Sequence, residues 1–414
     1  MSDVLSVLAS SLNDTQLAAA ARRLKNSTVN GGNRSAALTA LIELARSQKR
    51  MAVLICANAF DVARLNQEIA WLDPSLKVSS LPDWETLPYD TMSPHADLVS
   101  ERLETLYNLT SDDLQARPDV LIAAASTAAQ RFAPKSYVAG NTFFFRKGQT
   151  ISIGKLETSL VAAGYGRVEQ TMAPGEFAVR GGIVDIFPMG AATPLRLDLF
   201  DDEIDAIRRF DPESQRSTGS VDRVRILPGH EFAFDEESRN RFRAAWRAAF
   251  PGDPNKCPVY VDVGSGICSP GIEYYLPLFF ESTGTLADYL PDNALFITLG
   301  ETRDAIDSFM RQTQERYKFL SHDAQRPALP PEKLFDKADS FFDAIAPFGR
   351  ISLKAPETGI DTSLTIERSA KDPAAKLKDF VAKCRIEKKR ILIVATGSGR
   401  AARLQELLRD GMRE

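Results

Sequence analysis

The residues best equipped for chemistry sit in two short runs, EFAVR at 176–180 and LRLDLF at 195–200. In the second run the residue types alternate strictly. Leu195, Leu197 and Leu199 fall on one face of an extended strand, and Arg196, Asp198 and Phe200 on the other. In the first run Phe177 and Val179 point one way and Glu176, Ala178 and Arg180 the other, and Gly181-Gly182 follow where the strand bends. The leucine face is the one to bury. An arginine, a carboxylate and an aromatic on the opposite face supply no nucleophile and no acid–base pair. They supply contact area and directional bonds, the makings of a protein–protein hot spot. The alternative is that Phe200 packs beneath a neighbouring loop and the charges are solvated.

Catalytic constellations are scarce elsewhere. A phosphate loop, G-x-x-x-x-G-K-[ST], needs glycines so that backbone N–H groups reach phosphate and a lysine to neutralise it. At 28–36 (TVNGGNRSA) Gly31 and Gly32 are present, but Arg34-Ser35 is the nearest approach to Lys-Ser/Thr, and Thr28 and Asn33 fill the glycine positions. At 394–401 (VATGSGRA) the strand–turn–helix context is right, but Ala401 stands where Ser or Thr would hold magnesium. Both read as glycine turns capping helices. No acidic pair ends a strand in the Walker B manner, and Asp201-Asp202-Glu203 reads as a solvated hairpin turn. Cys56, Cys257, Cys268 and Cys384 form no C-x-x-C pair and read as buried reduced thiols. His95, His230 and His322 are isolated in sequence, so neither a zinc site nor a Cys–His pair is expected. Residues 82–95 (PDWETLPYDTMSPH) could offer Trp84 or Tyr89 for stacking on nucleic acid. With no Lys or Arg between Leu81 and Ser100, a packed connection is the expectation.

The elements that must position these residues follow from periodicity. The first ~140 residues alternate helical spacing (36–47, 59–72, 97–109) with short continuous apolar runs (51–56, 119–124), as in a covered parallel sheet. Beyond 141 the pattern changes to short strands joined by Gly- and Pro-bearing turns, with a helix at 153–163. It then returns to α/β, with helices at 235–249, 301–319 and 331–346, a buried strand at 294–299 and a closing strand at 350–354. The expected fold class is therefore α/β, a parallel-sheet domain (1–141 and 223–354) split by a small α+β insert (142–222). A polar linker (355–372) leads to a truncated α/β piece (373–414) with a helix at 373–385, a strand at 391–395 and a helix at 400–410. The chain has 414 residues, and 51 Lys and Arg against 55 Asp and Glu give a net charge of −4. That removes a chain-wide basic footprint for nucleic acid but leaves room for a local patch. No apolar run of 18 residues suggests a membrane span, and the N-terminus lacks the pattern of a signal peptide.

Four stretches carry a resemblance. They are DWETLPYD (83–90) with SPH (93–95) and the helix ERLETLYNL (101–109), then GEFAVRGGIVDIFPMG (175–190), LRLDLFDDEIDAIRRFDPESQR (195–216) and GIEYYLPLFF (271–280). Together they resemble the N-terminal part of the bacterial transcription-repair coupling factor family (Mfd), collinearly over about residues 40–350. The second and third are also similar to the nucleotide excision repair helicase UvrB, whereas the first and fourth are distinctive of the coupling factors.

The resemblance implies a degenerate RecA/helicase-like domain split by an insert that docks the damage-recognition ATPase UvrA, a UvrB-homology module without ATP-binding motifs. By motif, the family's contact residues fall on Arg180, Arg196 and Phe200. UvrB's charged pair falls on Arg196 and Asp198, and Arg167 matches a UvrB position by less constant spacing. The resemblance also implies a fragment, with the motor that uses ATP and magnesium, the RNA-polymerase-binding domain and a C-terminal autoinhibitory domain all beyond residue 414. The expected function is UvrA recruitment to stalled RNA polymerase in a bacterial cytoplasm. No enzymatic activity, cofactor, metal or membrane contact is expected for this chain, and double-stranded DNA is a partner of the full-length protein only. The alternative is a UvrB-like nucleotide-dependent DNA-remodelling fragment, which would bind an ATP analogue with magnesium.

Overall fold

The computed structural model describes residues 27–30, 38, 42, 43, 45–111, 116–354, 372, 374–388, 391, 393, 395 and 397–410. They fall into two compact units, Met1–Lys354 and Ala355–Glu414.

The first unit begins with β1 (Ser27–Asn30), β2 (Ala52–Cys56), β3 (Val78–Leu81) and β4 (Val120–Ala124). The chain then leaves for eight strands of an insert and returns for β13 (Leu295–Leu299) and β14 (Gly349–Lys354). These six strands form one sheet in the order β1-β14-β13-β2-β4-β3, and every pairing is parallel. β2, β4 and β13 are buried on both faces, which is why their sequences are continuous apolar runs. Val53, Ile55, Leu121 and Phe296 enter one core, and Leu54, Ile122, Leu295 and Ile297 enter the other. Helices cover the sheet. Among them are α1 (Phe60–Leu72) and α2 (Ala96–Thr110), the latter with His95 as N-cap accepting from the Asp97 N–H at 3.3 Å.

The insert opens with β5 (Phe143–Arg146) and α3 (Ile153–Ala162). It continues through β6 (Gly166–Arg167), β7 (Glu176–Arg180), β8 (Ile183–Ile186), β9 (Leu195–Phe200), β10 (Glu203–Phe210) and β11 (Ser217–Val221) to β12 (Arg223–Ile226). β6 to β11 form one sheet in reverse sequence order, antiparallel except for the short parallel edge pair β6–β7. β5 and β12 pair with each other, so the chain enters and leaves the insert through a two-stranded antiparallel ribbon. After the ribbon come α4 (Glu236–Ala249), capped by Asp235 accepting from Ser238 N–H at 2.8 Å, and α5 (Thr302–Leu320).

The fold class is as read from the sequence, an α/β sheet split by an antiparallel-rich insert. One helix is corrected. The run 331–346 is two helices, Pro331–Leu334 and Ala338–Ala344, with Phe335, Asp336 and Lys337 between them. There the backbone pairs outward instead: Asp336 N–H donates to Ala129 O at 2.7 Å, and Arg131 N–H donates to Leu334 O at 2.8 Å. The second unit contains helices Ala375–Ile386 and Ser398–Asp410. Of the expected strand 391–395, residues 392 and 394 lie outside the described residues, and 391, 393 and 395 are in no strand. The glycine run at 31–36 and most of the linker at 355–372 also lie outside them.

Candidate functional site

The insert sheet has one apolar face. Phe177, Val184, Ile186, Leu195, Leu197, Ile204 and Ile207 are buried there, in the same core as Leu156 and Leu160 of α3. The opposite face follows from register. Ala178 lies opposite Asp185, Asp185 opposite Arg196, and Arg196 opposite Arg208. In the next row Arg180 lies opposite Ile183, Ile183 opposite Asp198, and Asp198 opposite Ala206. Arg180, Arg196, Asp198 and Phe200 therefore share one face, as their alternation requires.

Asp185 organises this face. Its carboxylate is fully buried, 0% exposed, and holds two guanidinium groups. Arg196 donates from Nε to Oδ1 at 2.6 Å and from Nη2 to Oδ2 at 2.9 Å, and Arg180 donates from Nη2 to Oδ2 at 2.6 Å. The bidentate fork fixes the guanidinium plane. The Arg196 guanidinium also lies 4.7 Å over the Phe210 ring. Its bond to Asp185 holds its pKa above the ordinary arginine value, against the opposing effect of partial burial. Asp198 pairs with Arg208 at 3.1 Å.

Phe200 ends β9 and is 77% exposed. It borders the hairpin turn Asp201-Asp202, where Asp201 adopts φ +52°, a left-handed value that aspartate tolerates. Asp201, Asp202, Glu203 and Asp205 surround a shallow hollow beside it. The Gly181-Gly182 step is sterically required: a Cβ on Gly182 would sit 2.8 Å from the Leu199 carbonyl oxygen. Close packing of this turn on β9 sets Arg180 beside Asp185. Arg167 is placed differently. It sits on the edge strand β6 and pairs with Glu157 of α3 at 3.1 Å.

Sequence reasoning did not single out Asp185. The signal was present, since a carboxylate inside the apolar run GIVDIF must find cationic partners once buried. The arginines that supply them are five and eleven residues away.

The aromatic segment 82–95 is the packed connection, not an open stacking surface. Trp84 and Tyr89 are buried. Trp84 donates from Nε1 to Glu231 Oε1 at 2.9 Å, and Tyr89 donates to the Leu329 carbonyl at 2.8 Å. Glu231 also receives buried Arg102 of α2, at 2.6 and 3.2 Å, with the guanidinium 5.2 Å from the Trp84 ring centre. This cluster ties α2 to the segment that leaves the insert.

Among the described residues no group of three or more His, Cys, Asp or Glu could hold a metal ion, and the four cysteines form no disulfide. Burial pushes the His230 pKa down to about 4, so the ring is neutral at pH 7. No described helix is long and apolar enough to cross a membrane.

Residues 143–232 match the family model of the UvrB interaction domain. The transcription-repair-coupling factor of Haemophilus influenzae is 36% identical over 355 residues, covering 83% of this chain and 30% of that protein. That of Escherichia coli is 39% identical over 321 residues, 77% of this chain and 28% of the relative. The chain is a homologue of the transcription-repair-coupling factors. The relationship extends to the Bacillus subtilis factor at 26% identity over 288 residues. The chain spans less than a third of the length of these coupling factors. The matched domain contains the whole Asp185-centred face, with Arg180, Arg196, Asp198 and Phe200 inside 143–232.

Proposed function

We propose that this chain is the recruiting part of a bacterial transcription-repair-coupling factor, and that it docks UvrA on the open face of its insert sheet. The reading rests on the family and on one structural observation. A buried carboxylate presents two guanidinium groups in fixed orientation, and an exposed phenylalanine stands at the end of the same strand row. Guanidinium groups held in advance lose little freedom when a partner carboxylate or carbonyl arrives. Phe200 supplies the apolar anchor that such interfaces centre on. Asp198 adds an acceptor between them. Arg167, paired to Glu157 on the covered side, is a peripheral contributor.

In this reading the chain is no enzyme and brings UvrA to a stalled RNA polymerase in the cytoplasm. Nucleotide-driven movement on double-stranded DNA, polymerase contact and masking by a C-terminal domain belong to other parts of the coupling factor. Co-purification of UvrA with the chain tests the proposal, with Arg180→Ala/Arg196→Ala as the decisive variant. Retained UvrA binding by the folded double variant would overturn it.

A further inference from the structure

A second surface lies on the other side of the insert sheet. In the β5–β12 ribbon, Arg223 stands directly opposite Arg146, and Arg225 opposite Phe144. Opposed and alternate residues share a face. Phe144, Arg146, Arg223 and Arg225 therefore project together, while Phe145 and Ile226 turn into the core. Arg209 of β10 joins them. It lies opposite Leu195, out of phase with Arg196 and Arg208, and so on the far side of the sheet from Asp185. These residues line a groove of about 1200 Å³.

Among the described residues the groove's lining includes four arginines and no aspartate or glutamate; Asp112 and Asp113, between the lining residues Ser111 and Ala116, lie outside the described residues. Arg225 reaches Glu104 at 3.4 Å and lies 4.5 Å over the Tyr107 ring. Among the described residues, Arg146, Arg209 and Arg223 have no ion-pair partner. Like charges directly opposed on a ladder repel each other, so an anion seated between Arg146 and Arg223 relieves a repulsion built into the ribbon. Phe144, 62% exposed, lies on the same face.

We propose that this groove binds single-stranded nucleic acid, with the arginines on phosphates and Phe144 under a base. Arg223 and Arg225 are two residues apart on one strand, about 6.6 Å, close to the step between successive phosphates of an extended single strand. An acidic protein segment would use the arginines but leave the Phe144 ring without purpose. A single strand uses both, because every base has a face to stack. A duplex hides those faces. The chain's net charge of −4 does not oppose this, because four arginines line this one groove.

The test is fluorescence anisotropy of a labelled oligo(dT) of about 20 nucleotides with the 414-residue chain, titrated between about 50 and 200 mM salt. Binding is expected to weaken with salt by a log–log slope of about −0.7 per phosphate engaged. Arg146→Ala/Arg223→Ala should lower affinity at least about tenfold and reduce the slope by about 1.4, two phosphates' worth. Phe144→Ala should lower affinity about fivefold or more while leaving the slope unchanged. Thermal melting checks the fold, and loss of the opposed like charges should leave the melting temperature unchanged or raised. If the double variant fails to fold, Phe144→Ala alone decides. No anisotropy change at the lowest salt overturns the proposal, as does wild-type affinity in both variants. Displacement of the oligonucleotide by polyglutamate more readily than by unlabelled oligo(dT) also overturns it, in favour of an acidic protein partner.

Discussion

Asp185 and Arg196 face each other across β8 and β9, joined by two hydrogen bonds of 2.6 and 2.9 Å, with the carboxylate fully buried. Neither residue explains the surface alone. In the proposed docking mode the arginine is the group UvrA meets, and the aspartate fixes where it points.

Asp185→Ala should therefore mimic loss of the arginines. Arg180 and Arg196 remain, but their guanidinium groups lose the shared acceptor that aligns them. Hydrogen bonds to charged groups are worth about 1.5–3 kcal/mol. Partial exposure of both arginines places the loss in stability near the lower end, about 2 kcal/mol. UvrA capture should fall as far as in Arg196→Ala. A variant that folds and captures UvrA normally would show that the ion pair is purely structural.

Phe200→Ala separates docking from folding in the opposite sense. The side chain is 77% exposed, so the unfolding free energy from denaturant titration should change by no more than about 0.5 kcal/mol. UvrA affinity should fall by about 2 kcal/mol or more, as for an interface anchor. Equal affinities measured by titration calorimetry would remove Phe200 from the interface.

The Arg102–Glu231 pair holds the split domain together at the exit from the insert. Both side chains are buried, at 0% and 4% exposed. Glu231→Gln leaves the Arg102 charge without its counter-ion and weakens the bond from Trp84 Nε1. Breaking one partner of a buried pair typically destabilises by about 3–5 kcal/mol. Urea unfolding measures this, and a change below about 1 kcal/mol would show that the cluster is replaceable.

Glu273 makes stability depend on pH. Burial pushes its carboxyl up to about 7, although Ser93 Oγ–H donates to it at 2.9 Å. The group binds its proton more tightly folded than unfolded. Its contribution is therefore fully present below about 4.5, the unfolded value, and is lost as pH rises through 7. A shift of this size is on the order of 3 kcal/mol. Glu273→Gln should gain stability over the wild type between pH 5 and pH 8, read from denaturation midpoints at each pH. A constant difference across that range would contradict the assignment.

The legible parts of the fold were those whose signal is local. β2, β4 and β13 are continuous apolar runs because both faces are covered, and β9 shows its alternation because one face is open. β1 (STVN) and β3 (VSSL) carry no such signal. They are the sheet's edge strands, held by pairing to β14 and β4, partners far away in sequence. β11 (STGSV) is polar and largely exposed, and exists by pairing with β10. The expected helix at 331–346 breaks because Asp336 finds Ala129, about 200 residues earlier, a contact that periodicity cannot register. The candidate face was legible in Arg180, Arg196, Asp198 and Phe200. Its organising residue was not, because Asp185 looks like one polar residue in an apolar strand until the arginines are folded beside it.

In the proposed function the Asp185-held arginines dock UvrA. Titration of purified UvrA into the wild-type chain and into Arg180→Ala/Arg196→Ala, with circular dichroism confirming that both are folded, tests it most directly. Saturable binding by the wild type is expected, with a loss of at least about thirtyfold, or about 2 kcal/mol, in the double variant. Equal affinity for the two chains would contradict it.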